Sequence, residues 1–281
     1  MMAARVWLIG GTSESAALAS ALSSADVPYI VTVTTAAARR LYPQTAEVWV
    51  GQLSAQSVDA FIRRWQVRCI LDASHPFASE ISRLAIAIAE RSFVDQRVDQ
   101  RVDGREAIAY LRYERHEIHP PSRLNRAATD KTITSVKSIK TLLESDILQR
   151  QRVLFTLGYR QLSQFAPSLA CLRQESQLFA RVLPSVEAIA AVLAAGFAAQ
   201  EIVAIRPPVS TALERALWQQ WEISTVVAKA SGVAGGEAVK RAIADELGVR
   251  LILIERPLLI YPKQTNLISK ATEFCSEMLR L

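Results

Sequence analysis

Along the first half of the chain, short apolar runs alternate with stretches of helical period. Arg5-Val6-Trp7-Leu8-Ile9 reads as a buried strand, and 15–24 as a helix of small apolar residues able to lie close to a sheet. Residues 29–34 are β-branched and predict the next strand, 47–50 a shorter one and 57–65 a helix. Cys69-Ile70-Leu71 predicts a strand ending at Asp72, followed by a helix over 81–89 and a strand over 107–112. The second half repeats the series. Strands are expected at 153–157, 179–183, 201–205, 223–228 and 250–254, and helices at 186–194, 211–221 and 237–247. An amphipathic helix from 266 to 279 closes the chain.

Alternation of this kind implies parallel sheets with helices on both faces. The expected architecture is α/β: two doubly wound, Rossmann-like domains whose parallel sheets face an interdomain cleft. Residues 1–118 form the first and 119–281 the second. The joint falls at His116-Glu117-Ile118-His119-Pro120-Pro121, where adjacent prolines end regular structure. Just before it, Val94-Asp95-Gln96-Arg97 is followed by Val98-Asp99-Gln100-Arg101 and Val102-Asp103-Gly104-Arg105. The repeat places its valines on one helix face and balances its charges, so it reads as a surface extension with no chemical role.

Composition narrows the ligand. Lys and Arg number 33 against 27 Asp and Glu, an excess that suits an anionic ligand. No basic stripe interleaved with aromatics is present, so nucleic acid is not an expected partner. Cys69, Cys171 and Cys275 are odd in number, far apart and form no CxxC pair, which points to a reducing compartment and away from a structural metal or disulfide framework. His116 and His119 have no third ligand nearby, so no metal is expected. The first strand starts too soon for a signal peptide. The longest apolar stretch, 186–199, carries Glu187 and is too short to span a bilayer. The expectation is a cytoplasmic protein with no membrane partner, a monomer or weak oligomer.

Candidate chemistry gathers in the loops after strands. The organising one is Asp72-Ala73-Ser74-His75-Pro76-Phe77, at the carboxyl end of a central strand, where open α/β sheets place ligands. Pro76 restricts His75 to extended angles. The competing reading makes Asp72 a helix cap and His75 a half-buried structural residue. Gly10-Gly11-Thr12-Ser13 offers amides and a helix N-terminus to a phosphate, though it is not a complete GxGxxG. After the second strand come Thr34, Thr35, Arg39 and Arg40, with no acid before Glu47. Hydroxyls and guanidinium groups would receive the 2′-phosphate of NADPH, whereas NAD sites carry a carboxylate there. Lys229, Ser231, Gly232, Gly235 and Gly236 form a second anion site ahead of a helix, and Arg181 lies at another strand end.

Taken together, these residues resemble the precorrin-6A reductase family, which includes the cobalt-precorrin-6A reductases of cobalamin biosynthesis. The resemblance runs from Val6 to Pro257. It rests on Gly10 to Glu14, Thr34-Thr35, Asp72 to Ala78, Tyr110 to Arg115, Ala180-Arg181-Val182-Leu183-Pro184, Lys229 with Ser231-Gly232 and Gly235-Gly236, and Arg256-Pro257. Pro207, Ala230 and Leu157-Gly158-Tyr159 depart from the family pattern. The resemblance implies NADPH-dependent reduction of one double bond of a ring-contracted tetrapyrrole. It assigns Gly10, Gly11, Thr12, Ser13, Thr34, Thr35, Arg39, Asp72, His75, Pro76 and Phe77 to the cofactor. Arg181, Lys229, Ser231, Gly232, Gly235 and Gly236 are assigned to the acid-fringed substrate, with His75 and Lys229 nearest the chemistry. A sugar-nucleotide oxidoreductase would carry a Tyr-x-x-x-Lys pair, which this chain lacks. A non-catalytic NADPH sensor or tetrapyrrole carrier is the remaining alternative.

Overall fold

A computed structural model describes residues 3–97, 107–114, 132–232 and 235–279. The chain divides into two compact units, Met1–Arg115 with Pro257–Leu281, and His116–Arg256.

The first unit holds strands β1 (Arg5–Ile9), β2 (Tyr29–Val33), β3 (Val48–Val50), β4 (Val67–Asp72) and β5 (Ala109–Tyr113). Its helices are α1 (Ser13–Ser24), α2 (Val58–Trp65) and α3 (Ser79–Arg97). Side chains alternate across the sheet because strand period is two. Val6, Leu8, Val31, Cys69 and Leu71 therefore pack on one face, against Leu18 and Leu22 of α1. Trp7, Ile9, Ile30 and Ile70 pack on the other, against Phe61 and Ile62 of α2 and Ala85 and Ile88 of α3. Strands buried on both faces read as the unbroken apolar runs seen in the sequence.

The second unit holds β6 (Ile133–Val136), β7 (Arg152–Phe155), β8 (Gln177–Val182), β9 (Ile202–Ala204), β10 (Thr225–Lys229) and β11 (Arg250–Ile254). Its helices are α4 (Ile139–Leu143), α5 (Tyr159–Gln164), α6 (Ala166–Leu172), α7 (Val186–Ala194), α8 (Thr211–Gln220) and α9 (Glu237–Leu247). Leu154, Val226, Ala228, Leu251 and Leu253 bury one face of this sheet against Trp218 of α8 and Ile243 of α9.

The end of the chain departs from expectation. A two-residue strand, β12 (Gln264–Thr265), and the closing helix α10 (Ile268–Leu279) belong to the first unit. β12 pairs with β5 in register Gln264↔Arg112. Ala271, Phe274 and Cys275 of α10 complete the core that α1 begins. The expected second domain of 119–281 therefore ends at Arg256, and the last segment returns to the first sheet. An amphipathic helix states that it covers a sheet but not which one.

The first sheet runs β3-β2-β1-β4-β5-β12 and the second β9-β8-β7-β10-β11-β6, every neighbouring pair parallel. Both follow the doubly wound pattern, with the edge strand beside β5 or β11 supplied out of turn. Residues 94–97 of the repeat end α3. Its remainder and the proposed joint at 116–121 lie outside the described residues. Among the described residues no helix is long and apolar enough to cross a membrane.

Candidate active site

In the first sheet the strand order reverses between β1 and β4. Ile9 and Asp72 are register partners, so the loops after these strands leave the same sheet edge side by side. Thr12 joins them: its hydroxyl donates to the Ala73 carbonyl at 2.9 Å. Thr12 also caps α1, accepting the Ser15 N–H at 3.1 Å while Ser15 Oγ accepts the Thr12 N–H at 3.0 Å. The turn is thus fixed from within: the Gly10 N–H donates to the Thr32 carbonyl at 2.9 Å, the Thr12 N–H to Ser15 Oγ, and the Thr12 hydroxyl to the neighbouring loop. Gly11 has φ +100°, and a Cβ there would meet no heavy atom within 4 Å, so the twelve-residue helix α1 begins beneath an open stretch of backbone. Gly10 is tight instead, because a Cβ would stand 2.8 Å from Val31 Cγ1 and collide with the Tyr42 hydroxyl.

That hydroxyl accepts the Gly11 N–H at 2.8 Å and shares a hydrogen bond with Ser15 Oγ at 2.6 Å. Burial pushes the Tyr42 phenol up from its usual pKa. Tyr42 follows a short turn over Ala38–Leu41, so the segment carrying Arg39 and Arg40 is tied directly to the glycine turn. Thr34 and Thr35 are exposed just past β2. The Arg39 guanidinium reaches the carbonyls of Pro43 and Gln44, both at 3.4 Å.

Asp72 lies beneath the His75 loop and is fully buried. Its carboxylate accepts from Ser74 N at 3.0 Å, Ser82 Oγ at 2.6 Å, Tyr110 at 2.8 Å and Arg112 at 2.9 Å. Arg112, equally buried, also donates to Ser74 Oγ at 3.1 Å and to Glu114 at 2.9 Å, and the Tyr261 ring covers it at 5.1 Å. Burial pulls the Arg112 guanidinium down, but Asp72 and Glu114 outweigh it and raise the pKa overall. Burial, with Asp72 alongside, raises the Tyr110 phenol far above its ordinary value. A carboxylate so engaged holds the loop from below. Above it, His75 Nδ1 accepts the Phe77 N–H at 3.2 Å, which in the neutral ring leaves the proton on Nε2. The Ala78 N–H closes the turn on the His75 carbonyl at 2.7 Å.

In the second sheet the order reverses between β7 and β10. Lys229 ends β10, and burial lowers its ammonium to about 8. The loop that follows is braced by Arg256, whose Nε donates to the Ala230 carbonyl at 2.9 Å, and by Glu237, which accepts the Gly232 N–H at 2.9 Å. Arg181, on β8, is paired with the buried Glu214. Among the described residues no group of three or more His, Cys, Asp or Glu is placed to hold a metal ion. His116 and His119 lie outside them.

A model of the family described as precorrin-6x reductase, CbiJ/CobK, matches residues 5–276, nearly the whole chain. The chain belongs to the precorrin-6x reductase family. The cobalt-precorrin-6A reductase of Synechocystis sp. is 41% identical over 278 residues, covering 98% of this chain and 97% of that protein. That of Priestia megaterium is 31% identical over 257 residues, covering 91% and 92%. A solved structure, CobK precorrin-6A reductase, overlays with a TM-score of 0.71 at 20% identity, covering 99% of this chain and 97% of that one, so the fold is shared end to end.

Membership in the precorrin-6x reductase family makes the chain an oxidoreductase that acts on a carbon–carbon double bond with a reduced nicotinamide cofactor. Within it, the residues expected from the sequence fall into two groups. Gly10 to Ser13 and Asp72 to Phe77 share one edge of the first sheet. Lys229, Arg181, Ser231, Gly232, Gly235 and Gly236 belong to the second. Sequence reasoning missed Tyr42, Ser82 and Tyr261, and gave no role to Tyr110 and Arg112 of the motif it matched; these five build the first group, and Lys240, also missed, underlies the second. Tyr110 and Arg112 did carry a signal: two polar groups at period two on a strand otherwise buried on that face.

Proposed function

We propose that the chain uses NADPH to reduce one double bond of precorrin-6A, or of its cobalt-bound form, during corrin-ring assembly in the reducing cytoplasm. The observation that carries this reading is the shared edge where Thr12 joins the glycine turn to the His75 loop. The open space beside Gly11 and the α1 N-terminus fit a pyrophosphate. Thr34, Thr35, Arg39 and Arg40, with no acid before Glu47, favour the 2′-phosphate of NADPH over NADH. When bound, NADPH supplies the hydride.

The chain's own residues orient and screen. His75, Pro76 and Phe77 shape the nicotinamide end, and Asp72 acts as a positioning residue beneath them, in place of the cofactor contact expected from sequence. The second unit contributes Lys229, Arg181, Ser231, Gly232, Gly235 and Gly236 to the substrate's carboxylate arms as charge-assisted contacts. His75 positions; water supplies the proton that completes the new CH–CH bond.

Mixing protein, reduced nicotinamide and the oxidised tetrapyrrole tests the reading. The pigment's visible spectrum should change in step with NADPH loss, and the KM for NADPH should lie about tenfold or more below that for NADH. No pigment change would overturn the reaction; equal use of NADH would overturn the 2′-phosphate assignment. Lys229→Ala should raise the KM for tetrapyrrole more than that for NADPH, and the reverse ranking would reassign that loop.

A further inference from the structure

Lys240 lies one turn into α9, and its side chain folds back towards the start of the helix. It is buried, at 5% exposure. The acceptor that the described residues offer its three N–H groups is the Gly236 carbonyl, at a long 3.4 Å. Its acidic neighbours are already engaged. Glu237 takes the Gly232 N–H at 2.9 Å and Arg241 Nε at 2.9 Å. Glu214 takes Arg181 and, at 3.2 Å, the Trp218 indole N–H. Burial and then the Arg181 charge pull the Lys240 ammonium down to about 8.

A buried ammonium short of acceptors is costly, and a Leu or Met of similar size would carry no such penalty. The ammonium lies against the turn that opens the helix. Gly236 sits at φ +72°, and a Cβ there would stand 3.5 Å from Lys240 Nζ. Gly236 is also the N-cap of the eleven-residue α9 and supplies no side-chain cap, so the positive end of the helix dipole adds to the same spot, where the Glu237 N–H donates to the Gly232 carbonyl at 3.3 Å. Around it Lys240, Arg181 and Arg241 stand against Glu214 and Glu237, leaving one positive charge over.

We propose that Lys240, with Arg181 and the start of α9, is the fixed cationic seat for one carboxylate arm of the tetrapyrrole, an assignment that rests on the function proposed above. One excess charge matches a singly charged acetate or propionate arm better than a phosphate dianion. The arm supplies acceptors beyond the one that the described residues offer Lys240.

The test uses the full chain and two variants, Lys240→Met and Lys240→Arg. Three quantities are read: the thermal midpoint without ligand, the Kd for the oxidised metal-free tetrapyrrole by absorbance titration without NADPH, and the Kd for NADPH. Lys240→Met should melt at or above the wild-type temperature, because a costly buried charge is gone, yet bind the tetrapyrrole about tenfold more weakly. Its NADPH affinity should stay within about twofold, and Lys240→Arg should recover tetrapyrrole binding to within about threefold. A Lys240→Met protein that melts lower and loses both ligands together shows a purely structural lysine and overturns the seat. Unchanged tetrapyrrole binding in Lys240→Met, with binding intact in the wild type, removes the seat alone. A wild-type protein that takes up no tetrapyrrole removes the seat and the proposed function together.

Discussion

At the scale of single residues, the decisive feature is that Asp72 and Arg112 face each other with almost no exposure. Each is tolerable only because of the other and of the hydroxyls and amides around them. Asp72→Asn leaves Arg112 buried against a neutral amide, with Glu114 as its remaining charged partner. Breaking a buried pair from one side costs about 3–5 kcal/mol. The variant should therefore lower the unfolding free energy of the first unit by about that amount, read as a lower urea midpoint, and the NADPH affinity should fall with it as the His75 loop loses its support. Were Asp72 instead a cofactor contact, affinity would fall while the urea midpoint held. The sequence showed that an acid stood at the end of a central strand. It did not show that the carboxylate points down into the sheet, because that depends on Tyr110, Arg112 and Tyr261, which lie 38, 40 and 189 positions away.

At the scale of elements, legibility followed the unbroken apolar runs. β1, β2, β4, β7, β10 and β11 were readable to within two or three residues because both faces are apolar and the runs are unbroken. β6 and β12 were not. They are edge strands of four and two residues with no apolar run, ITSV and QT, whereas the equally exposed edge strands β3 and β9 carry the apolar triplets VWV and IVA and were readable. The missing β12 is what misplaced α10. That helix predicts its own test: Phe274 is buried in the core formed with α1 and β4. Phe274→Ala should cost the first unit about 3–4 kcal/mol through the cavity it leaves. It should leave tetrapyrrole contacts in the second unit unchanged. If α10 belonged with the second unit, as its place in the sequence implied, the loss would appear in the unfolding of that unit instead.

At the scale of the whole molecule, the chain builds one α/β unit, interrupts it after Arg115 for a second complete one, and returns at Pro257 to finish the first. Each unit has its own sheet and its own buried faces, so each meets the requirement for cooperative unfolding by itself. The glycine turn and the His75 loop both lie in the first, so the nucleotide should stabilise that unit specifically. At a free concentration one hundred times its Kd, a ligand that binds only the folded state adds about 2.7 kcal/mol. For a unit of this size that is a rise of roughly 8 °C in midpoint. Calorimetry should therefore resolve an NADP-sensitive transition, which Asp72→Asn and Phe274→Ala both lower, and an NADP-insensitive one, which neither moves. A single transition that shifts as a whole with nucleotide would mean that the two units unfold together. A shift confined to the transition that Phe274→Ala leaves alone would place the nucleotide in the wrong unit, and the assignment of Gly10, Gly11 and Thr12 would fall with it.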